Sequence, residues 1–221
     1  MRLKAFDYRY NANKALEGKK IFAVLVTIVF QILTGLFSSV VSFFLTKYIG
    51  EIIFFDRVII FISCMSIVYA LFFVSPLSYG FVSISKKIYR NQKANVGDLF
   101  DGFSNYRRVF TLNLLLSVKT FLWTILFYIP GIIKAYAYSM SNYILDDNPN
   151  ISPKDAIAMS VKLMKGNKFR LFCLHFSFIG WIFLSFLTCG ILIFYVTPYM
   201  QVAQAAFYDD LIQNQTTPEL E

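Results

Sequence analysis

The chain alternates between long apolar runs and short polar segments, and six such runs can be distinguished. They cover residues 21–46, 58–85, 109–129, 131–145, 169–187 and 190–208. A transmembrane helix needs roughly 20 predominantly apolar residues. Five runs approach or exceed that length, whereas the fourth contains only 15 residues. The pattern predicts an all-α polytopic membrane bundle of about six transmembrane helices arranged in three hairpins.

The fourth run, residues 131–145, is short for a simple crossing of the bilayer. Three arrangements stay open for it: a helix with little tilt, a half re-entrant segment, or a helix whose ends are protected by its neighbours.

A short amphipathic helix is predicted before each hairpin, in "NANKALEGKK", "NVGDLFDGFSNYRR" and "SPKDAIAMSVKLMKGNKFR". The expected N-caps are Asn11, Asn95 and Ser152, and the glycines at the far ends are Gly18, Gly102 and Gly166. The third element has the clearest capping pattern, because Pro153 fits a first helical turn and Asp155 completes a capping box. Its apolar residues share one face and its lysines lie elsewhere, which is typical of a helix on a membrane surface.

The order of amphipathic helix, glycine, basic residues and apolar hairpin therefore occurs three times, in residues 11–85, 95–147 and 152–210. The two later units also share a tryptophan before the turn, a glycine in the turn and a closing aspartate pair. A threefold internal repeat is one interpretation, and chance similarity between apolar segments is the other. All of it lies in a single integral membrane domain, residues 1–212, and the polar residues 213–221 are predicted to form a disordered tail.

Composition agrees with a membrane location, since 57% of residues are hydrophobic, 15% are charged and the mean hydropathy is +0.57. Seventeen of the 21 Lys and Arg residues fall in three segments, 2–20, 86–108 and 154–170. Basic residues concentrate in cytoplasmic loops of membrane proteins. The distribution places both termini in the cytoplasm, and it argues against nucleic acid as the partner of the net charge of +8.

Two stripes of polar residues follow the fourth and sixth runs, where lipid would offer them no hydrogen-bond partners. The first consists of Tyr136, Ser139 and Tyr143, and the second of Thr197, Gln201, Gln204 and Tyr208. Both stripes should therefore face the interior of the bundle or a cavity. They either hold helices together through hydrogen bonds or line a path for a substrate or ion.

The aspartate pairs 146–147 and 209–210 are expected at the cytoplasmic face, solvated or paired with the basic amphipathic helices. A catalytic or metal-binding carboxylate pair is disfavoured, because adjacent residues on a helix point in different directions. Lys119 lies in the middle of the third run, where an unpaired ammonium is costly. It is a candidate functional residue, unless its side chain reaches an interface.

Other chemistry has little support in the sequence. His175 is expected to be a hydrogen-bonded packing residue, and the three cysteines small buried hydrophobes. Catalytic signatures such as H-E-x-x-H, G-x-S-x-G or a phosphate-binding loop do not occur. We therefore expect neither an enzyme nor a cofactor or metal site.

Three blocks, "PGIIKAYAYSMSNYILDDNPNISPKDAI", "LMKGNKFRLFCLHFSFIGW" and "TPYMQVAQAAFYDDL", carry a resemblance to a known family. In order and spacing they resemble the bacterial multi-pass membrane proteins named only as domain of unknown function 975. The resemblance extends from "ALEGKK" to "FYDDL" and implies a bacterial cytoplasmic-membrane protein. It implies no substrate, reaction or catalytic residue.

The preferred functional hypothesis is a membrane scaffold or accessory subunit that binds anionic lipid or a protein partner. Its candidate surface is the basic third helix, with Lys154, Lys162, Lys165, Lys168 and Arg170. The alternative is a small transporter or export factor that uses the two polar stripes, as a homodimer because six short spans enclose little volume. Immunity to a membrane-active peptide is a third hypothesis, which rests on chain size and basic surfaces.

Overall fold

The computed structural model describes residues 4–48 and 65–216, and all regular secondary structure in these ranges is helical. The prediction of an all-α fold is confirmed for this part of the chain. The polar connection around residues 47–57, the first part of the second apolar run and Cys64 fall mainly or wholly outside the described residues.

Helices follow one another with short connections. They are α1 (Ala5–Leu16), α2 (Lys20–Tyr48), α3 (Met65–Tyr89), a 3₁₀ helix (Val96–Phe100), α4 (Asp101–Ser104), α5 (Tyr106–Leu126), α6 (Tyr128–Tyr138), α7 (Ser141–Asp147), α8 (Pro153–Leu163), α9 (Lys168–Phe176), α10 (Ile179–Leu187) and α11 (Ile193–Thr216). A π-helical segment, Ala70–Val74, lies inside α3.

Three helical stretches of the described chain are long and apolar enough to cross a membrane. They are α3, α5 and the continuous stretch Lys168–Leu187 formed by α9 and α10. Lys20–Gly35 of α2 adds a shorter apolar helix. The short fourth run is divided between α6 and α7, which are separated by Ser139 and Met140.

Two boundaries differ from the prediction. The first helix begins at Ala5 rather than after Asn11, because the Asp7 carboxylate accepts a 2.7 Å hydrogen bond from the Lys4 backbone and closes an earlier first turn. The last helix continues to Thr216, so residues 213–216 are helical rather than part of a disordered tail. Residues 217–221 lie outside the described chain.

The capping signals at Ser152, Asn95, Gly18 and Gly166 are predicted correctly from the sequence. The Ser152 hydroxyl accepts a hydrogen bond from the Asp155 backbone at the start of α8, and Asn95 and Asp98 form a capping box before the 3₁₀ helix. Gly18 and Gly166 follow α1 and α8 with φ of +76° and +79°, the left-handed conformation typical after a helix end.

Burial is concentrated at one end of the bundle, here called the charged end because Arg90, Asp147 and Asp209 lie there. Tyr8, Tyr143, Phe207 and Tyr208 are fully buried near these groups. By contrast, large apolar side chains around the α5–α6 and α10–α11 turns are exposed, among them Phe127, Ile129, Phe186 and Leu187. Such a surface suits contact with acyl chains better than contact with water.

Glycine allows a close approach between α3 and the segment 96–104. A Cβ atom at Gly80 would collide with the backbone carbonyl of Leu99, and one at Gly102 would collide with that of Pro76. Gly102 therefore does not end a helix, as the sequence pattern suggested, but lies inside α4 and makes room for α3. Lys87 adds ion pairs from α3 to Asp98 at 3.0 Å and to Asp101 at 3.4 Å.

We expect Gly80→Ala to destabilise the protein by about 1–3 kcal/mol, because the collision is with backbone and cannot be relieved by a side-chain rotation. The measurement is the thermal unfolding midpoint of the purified protein in detergent. Gly97→Ala is the matched control, since a Cβ atom there meets nothing within 4 Å. An equal midpoint for the two variants would contradict the proposed close packing.

Candidate functional site at the charged end

Arg90, the residue that follows α3, binds two carboxylates from different parts of the chain. Its guanidinium donates to both oxygens of Asp147 at 2.8 and 2.9 Å, and to both oxygens of Asp209 at 2.7 and 3.0 Å. A planar guanidinium suits such paired contacts, which an ammonium cannot reproduce. The arginine thus joins α3, α7 and α11 at one point.

Lys86 lies one helical turn before Arg90 and is only 4% exposed. Its ammonium is 2.6 Å from Asp146 and 2.6 Å from Asp147. An ammonium at this depth is tolerated because two carboxylates surround it. We call Lys86, Arg90, Asp146, Asp147 and Asp209 the Arg90 cluster.

A second cluster links the N-terminal helix to the last one. The Tyr8 hydroxyl donates to Asp210 at 2.6 Å, and Arg170 at the start of α9 donates to the same carboxylate oxygen at 2.8 Å. Arg170 also contacts the Tyr8 hydroxyl. Burial, followed by the hydrogen bond to Asp210, raises the pKa of Tyr8. We call Tyr8, Arg170 and Asp210 the Tyr8 cluster.

The structure thus assigns partners to the two aspartate pairs. Each aspartate binds a cation from the end of α3 or the start of α9, and none of their described ion pairs involves α8. Burial opposes ionisation of Asp147, but hydrogen bonds from Arg90 and Lys86 outweigh it and lower the pKa of Asp147 to about 2. Hydrogen bonds to Asp209 and Asp147 raise the pKa of Arg90.

Arg90, Lys86 and Tyr8 were not singled out from the sequence. The sequence offers one indication of these contacts. Two apolar runs end in aspartate pairs, and another run ends in the basic segment 86–90, which could supply their cations. Sequence distances of 57 and 119 residues separate Arg90 from its two partners, so no local pattern connects them.

The two polar stripes face the interior, and their members contact one another or neighbouring helices. The buried Tyr143 donates to Gln201 at 3.4 Å, and its ring lies 5.1 Å from that of Tyr208. The Tyr136 hydroxyl lies 3.4 Å from Nδ1 of His175. Ser139 donates to the backbone of Tyr136, and Thr197 is half-buried. Direct helix-to-helix contacts therefore involve most of these polar groups.

Several buried side-chain atoms lack a well-formed hydrogen bond within the described chain, and two of them contact the polar interior. These two are Nε2 of His175, which lies beside Gln204, and the hydroxyl of Tyr208, which lies beside Asp147. The polar interior thus extends from His175 toward the Arg90 cluster.

The basic third helix, α8, does not offer its apolar face to lipid. Ala156, Ile157 and Leu163 are buried against the protein, and the buried Ser160 hydroxyl donates to the Ala137 backbone of α6 at 2.8 Å. Its exposed cations are Lys154 and Lys162. Lys165 is exposed in the turn after α8, whereas Lys168 is half-buried in α9 and Arg170 belongs to the Tyr8 cluster.

The remaining candidates have simpler environments. Lys119 is half-buried in α5 and forms no ion pair with a described carboxylate, and Lys134 lies over the Trp123 ring at 4.6 Å. Cys189 is exposed and Cys173 is half-buried, so the expectation of buried cysteines is wrong for Cys189. The described residues contain no cluster of three or more metal-ligating side chains.

In the described part of the chain, three cavities open at or near the charged end, and no residue of either polar stripe is in their linings. One of about 780 Å³ contains Lys14, Glu17, Arg90 and Asp209 in its lining, and one of about 190 Å³ contains Asp101, Arg108 and Asp146. The third, of about 420 Å³, is lined by cations and amides, with no acid among its residues.

The model of a family described as "Protein of unknown function (DUF975)" matches residues 124–215. Residues 124–215 are therefore similar to that family. The match includes α6 to α11 and both aspartate pairs, and it confirms the resemblance over these residues while leaving residues 1–123 outside it. No curated protein and no solved structure matches the chain.

We expect Arg90→Gln to destabilise the protein by about 1–3 kcal/mol at pH 7, because it leaves Asp147 and Asp209 without their paired donors. Arg90→Lys should fall between wild type and Arg90→Gln, since it retains charge without the planar double contact. Thermal unfolding in detergent provides the measurement. Arg107→Gln is the control, because Arg107 is exposed and has no described carboxylate partner.

The loss of stability at low pH tests the contact between Arg90 and Asp147. An aspartate has a pKa of about 3.9 when unfolded. Because the pKa of folded Asp147 is lower, at about 2, its stabilisation is complete above about pH 4 and is lost as pH falls toward 2. Arg90→Gln should reduce this loss. A wild-type acid profile in that variant would show that Arg90 does not control Asp147.

Proposed function

We propose that the protein is a multi-pass cytoplasmic-membrane scaffold or accessory subunit that binds an acidic segment of a cytoplasmic protein through α8. In this proposal about six helices cross the membrane in three hairpins, and both termini lie on the cytoplasmic side. The charged end faces the cytoplasm, and the exposed apolar turns lie on the opposite side, in or past the hydrocarbon core.

The observation that carries the proposal is the fixed orientation of α8. Its apolar face is covered by protein, so the helix cannot insert that face into a bilayer as a free amphipathic helix does. Lys154 and Lys162 remain exposed on one face of α8, and Lys165 is exposed in the turn that follows the helix. A rigid row of cations favours an acidic partner that can align with it.

The proposal favours a protein partner over lipid for a further reason. Because protein covers its apolar face, α8 could bind lipid through charge alone. Each lysine near an anionic surface contributes a binding free energy of about 1 kcal/mol. An acidic protein segment can add directional hydrogen bonds and contacts to exposed residues between the lysines, such as Ala158.

We test the proposal with a photo-crosslinking amino acid at Ala158, which lies between Lys154 and Lys162 on the exposed face. In intact cells, the full-length protein should give a discrete protein adduct. The adduct should disappear in the Lys154→Gln, Lys162→Gln, Lys165→Gln variant, because the charges that align the partner are absent. Thermal unfolding should show nearly unchanged stability, since exposed substitutions of this kind usually change it by about 0.5 kcal/mol or less.

A crosslinker at the exposed Gln92, in another part of the charged end, is the matched control position and should not give the same adduct. An adduct at Ala158 that is unaffected by the three substitutions would contradict the role of the lysines. Adducts with lipid alone would replace the protein partner with the membrane surface.

The transporter hypothesis keeps one specific observation in its favour, the buried Nε2 of His175 and hydroxyl of Tyr208, which lack a well-formed hydrogen bond in the described chain. Buried polar atoms of this kind are often satisfied by water. If the interior is a wet path, single cysteines at Ser139, Gln201 and Gln204 in a cysteine-free protein should react with a membrane-impermeant thiol reagent. Protection at all three positions would exclude a path along the stripes.

A further inference from the structure

The cavity of about 420 Å³ lies where α1 passes into α2 and where the chain leaves α3. Its cations are Lys19 and Lys93, and its amides are Asn91, Gln92 and Asn95. Phe22 of α2 and Ile88 of α3 give it an apolar side. The cavity therefore combines anion-binding groups with an apolar surface at the boundary between polar and apolar parts of the chain.

Neither lysine is neutralised within the described chain. Lys19 donates to the Asn91 side chain at 2.8 Å, and the described ion pairs include neither Lys19 nor Lys93. The two other cavities differ in this respect, because acids and cations occur together in their linings. An anionic ligand is thus favoured only in this one of the three.

The backbone supports the arrangement of the loop. Asn91 adopts φ of +54°, a left-handed conformation that asparagine tolerates better than most residues. The backbone of Gln92 donates to Lys87 at 2.8 Å, so the chain turns sharply after α3. This turn places the amide-rich residues 91–95 opposite Lys19.

An apolar stripe begins at the same level of α2. Ile21, Leu25, Ile28 and Ile32 follow one another at helical spacing and are 84%, 48%, 38% and 53% exposed. A free phosphate ion would make no use of such a surface, whereas a phospholipid can place acyl chains along it. A cationic cavity that includes Lys19, together with an exposed apolar stripe that begins two residues later, favours a lipid over a soluble anion.

We propose that this cavity binds the phosphate headgroup of one anionic phospholipid, with Lys19 and Lys93 as the charged contacts and the α2 stripe beside its acyl chains. The site differs from the α8 surface and does not depend on the partner proposed for it. Its ligand class is a phosphodiester in a lipid, not a soluble phosphate.

Native mass spectrometry of the full-length protein in detergent tests the proposal, with phosphatidylglycerol and phosphatidylcholine of identical acyl chains as the probes. The wild type should bind one phosphatidylglycerol in preference to phosphatidylcholine. The Lys19→Gln, Lys93→Gln variant should bind phosphatidylglycerol about tenfold more weakly or worse, from the loss of two lysines near the headgroup. The Lys19→Arg, Lys93→Arg variant should retain binding, which separates loss of charge from loss of folding.

Lys4→Gln, Arg107→Gln is the matched control, since it removes two exposed cations that do not line the cavity. Equal binding of the two lipids by the wild type, or unchanged phosphatidylglycerol binding in the Gln variant, would overturn the proposal. Displacement of phosphatidylglycerol by an equal concentration of inorganic phosphate would show a soluble-anion site instead of a lipid site. Because this experiment measures lipid binding, a negative result would not affect the proposal for α8, which is tested by crosslinking.

Discussion

The contact between Arg90 and its two carboxylates is the point on which the arrangement of the bundle depends. Asp147 ends α7, Asp209 lies in α11, and Arg90 follows α3, so one guanidinium joins three helices that are far apart in sequence. In a bilayer the hydrophobic effect does not favour one helix–helix arrangement strongly over another, because lipid is as apolar as the side chains. Directional polar contacts and close packing must then specify how the helices align with one another. The Arg90 cluster supplies the polar contacts, and Gly80 and Gly102 allow the close packing.

The location of this contact explains the uneven burial. Charge-assisted hydrogen bonds require full satisfaction of every donor and acceptor once water is removed. At the charged end Tyr143 and Tyr208 are buried beside the Arg90 cluster, Phe207 packs against Tyr8, and Tyr8 joins α1 to α11 through Asp210. Among the described residues, no ion pair lies at the opposite end, and large aromatic and aliphatic side chains there are exposed. The packed polar end suits contacts within the protein, and the exposed apolar surface suits contacts with acyl chains.

Features that depend on neighbouring residues could be predicted from the sequence. Helix type follows from length and apolar period, the cap at Ser152 from the residues after it, and the inward direction of Tyr143 and Gln201 from their lipid-incompatible side chains. Long-range features could not be predicted. Nothing within a few residues of Asp209 indicates that Arg90 is its partner, and the apolar face of α8 looks the same whether protein or lipid covers it. The role of Gly102 could not be predicted for the same reason, because it depends on the close approach of Pro76 on another helix.

The basic segments contain two kinds of residue, which the charge pattern alone does not distinguish: those that form ion pairs within the protein and those that do not. Lys86, Arg90 and Arg170 are ion-paired with buried or half-buried carboxylates, and their charge is unavailable to a partner. Lys19, Lys93 and the exposed Lys154, Lys162 and Lys165 take part in none of the described ion pairs. The first group contributes to stability, and the second group leaves positive charge at the surface. Substitution of a basic residue should therefore affect either folding or binding according to which group it belongs to, and a function assigned from net charge alone would confuse the two.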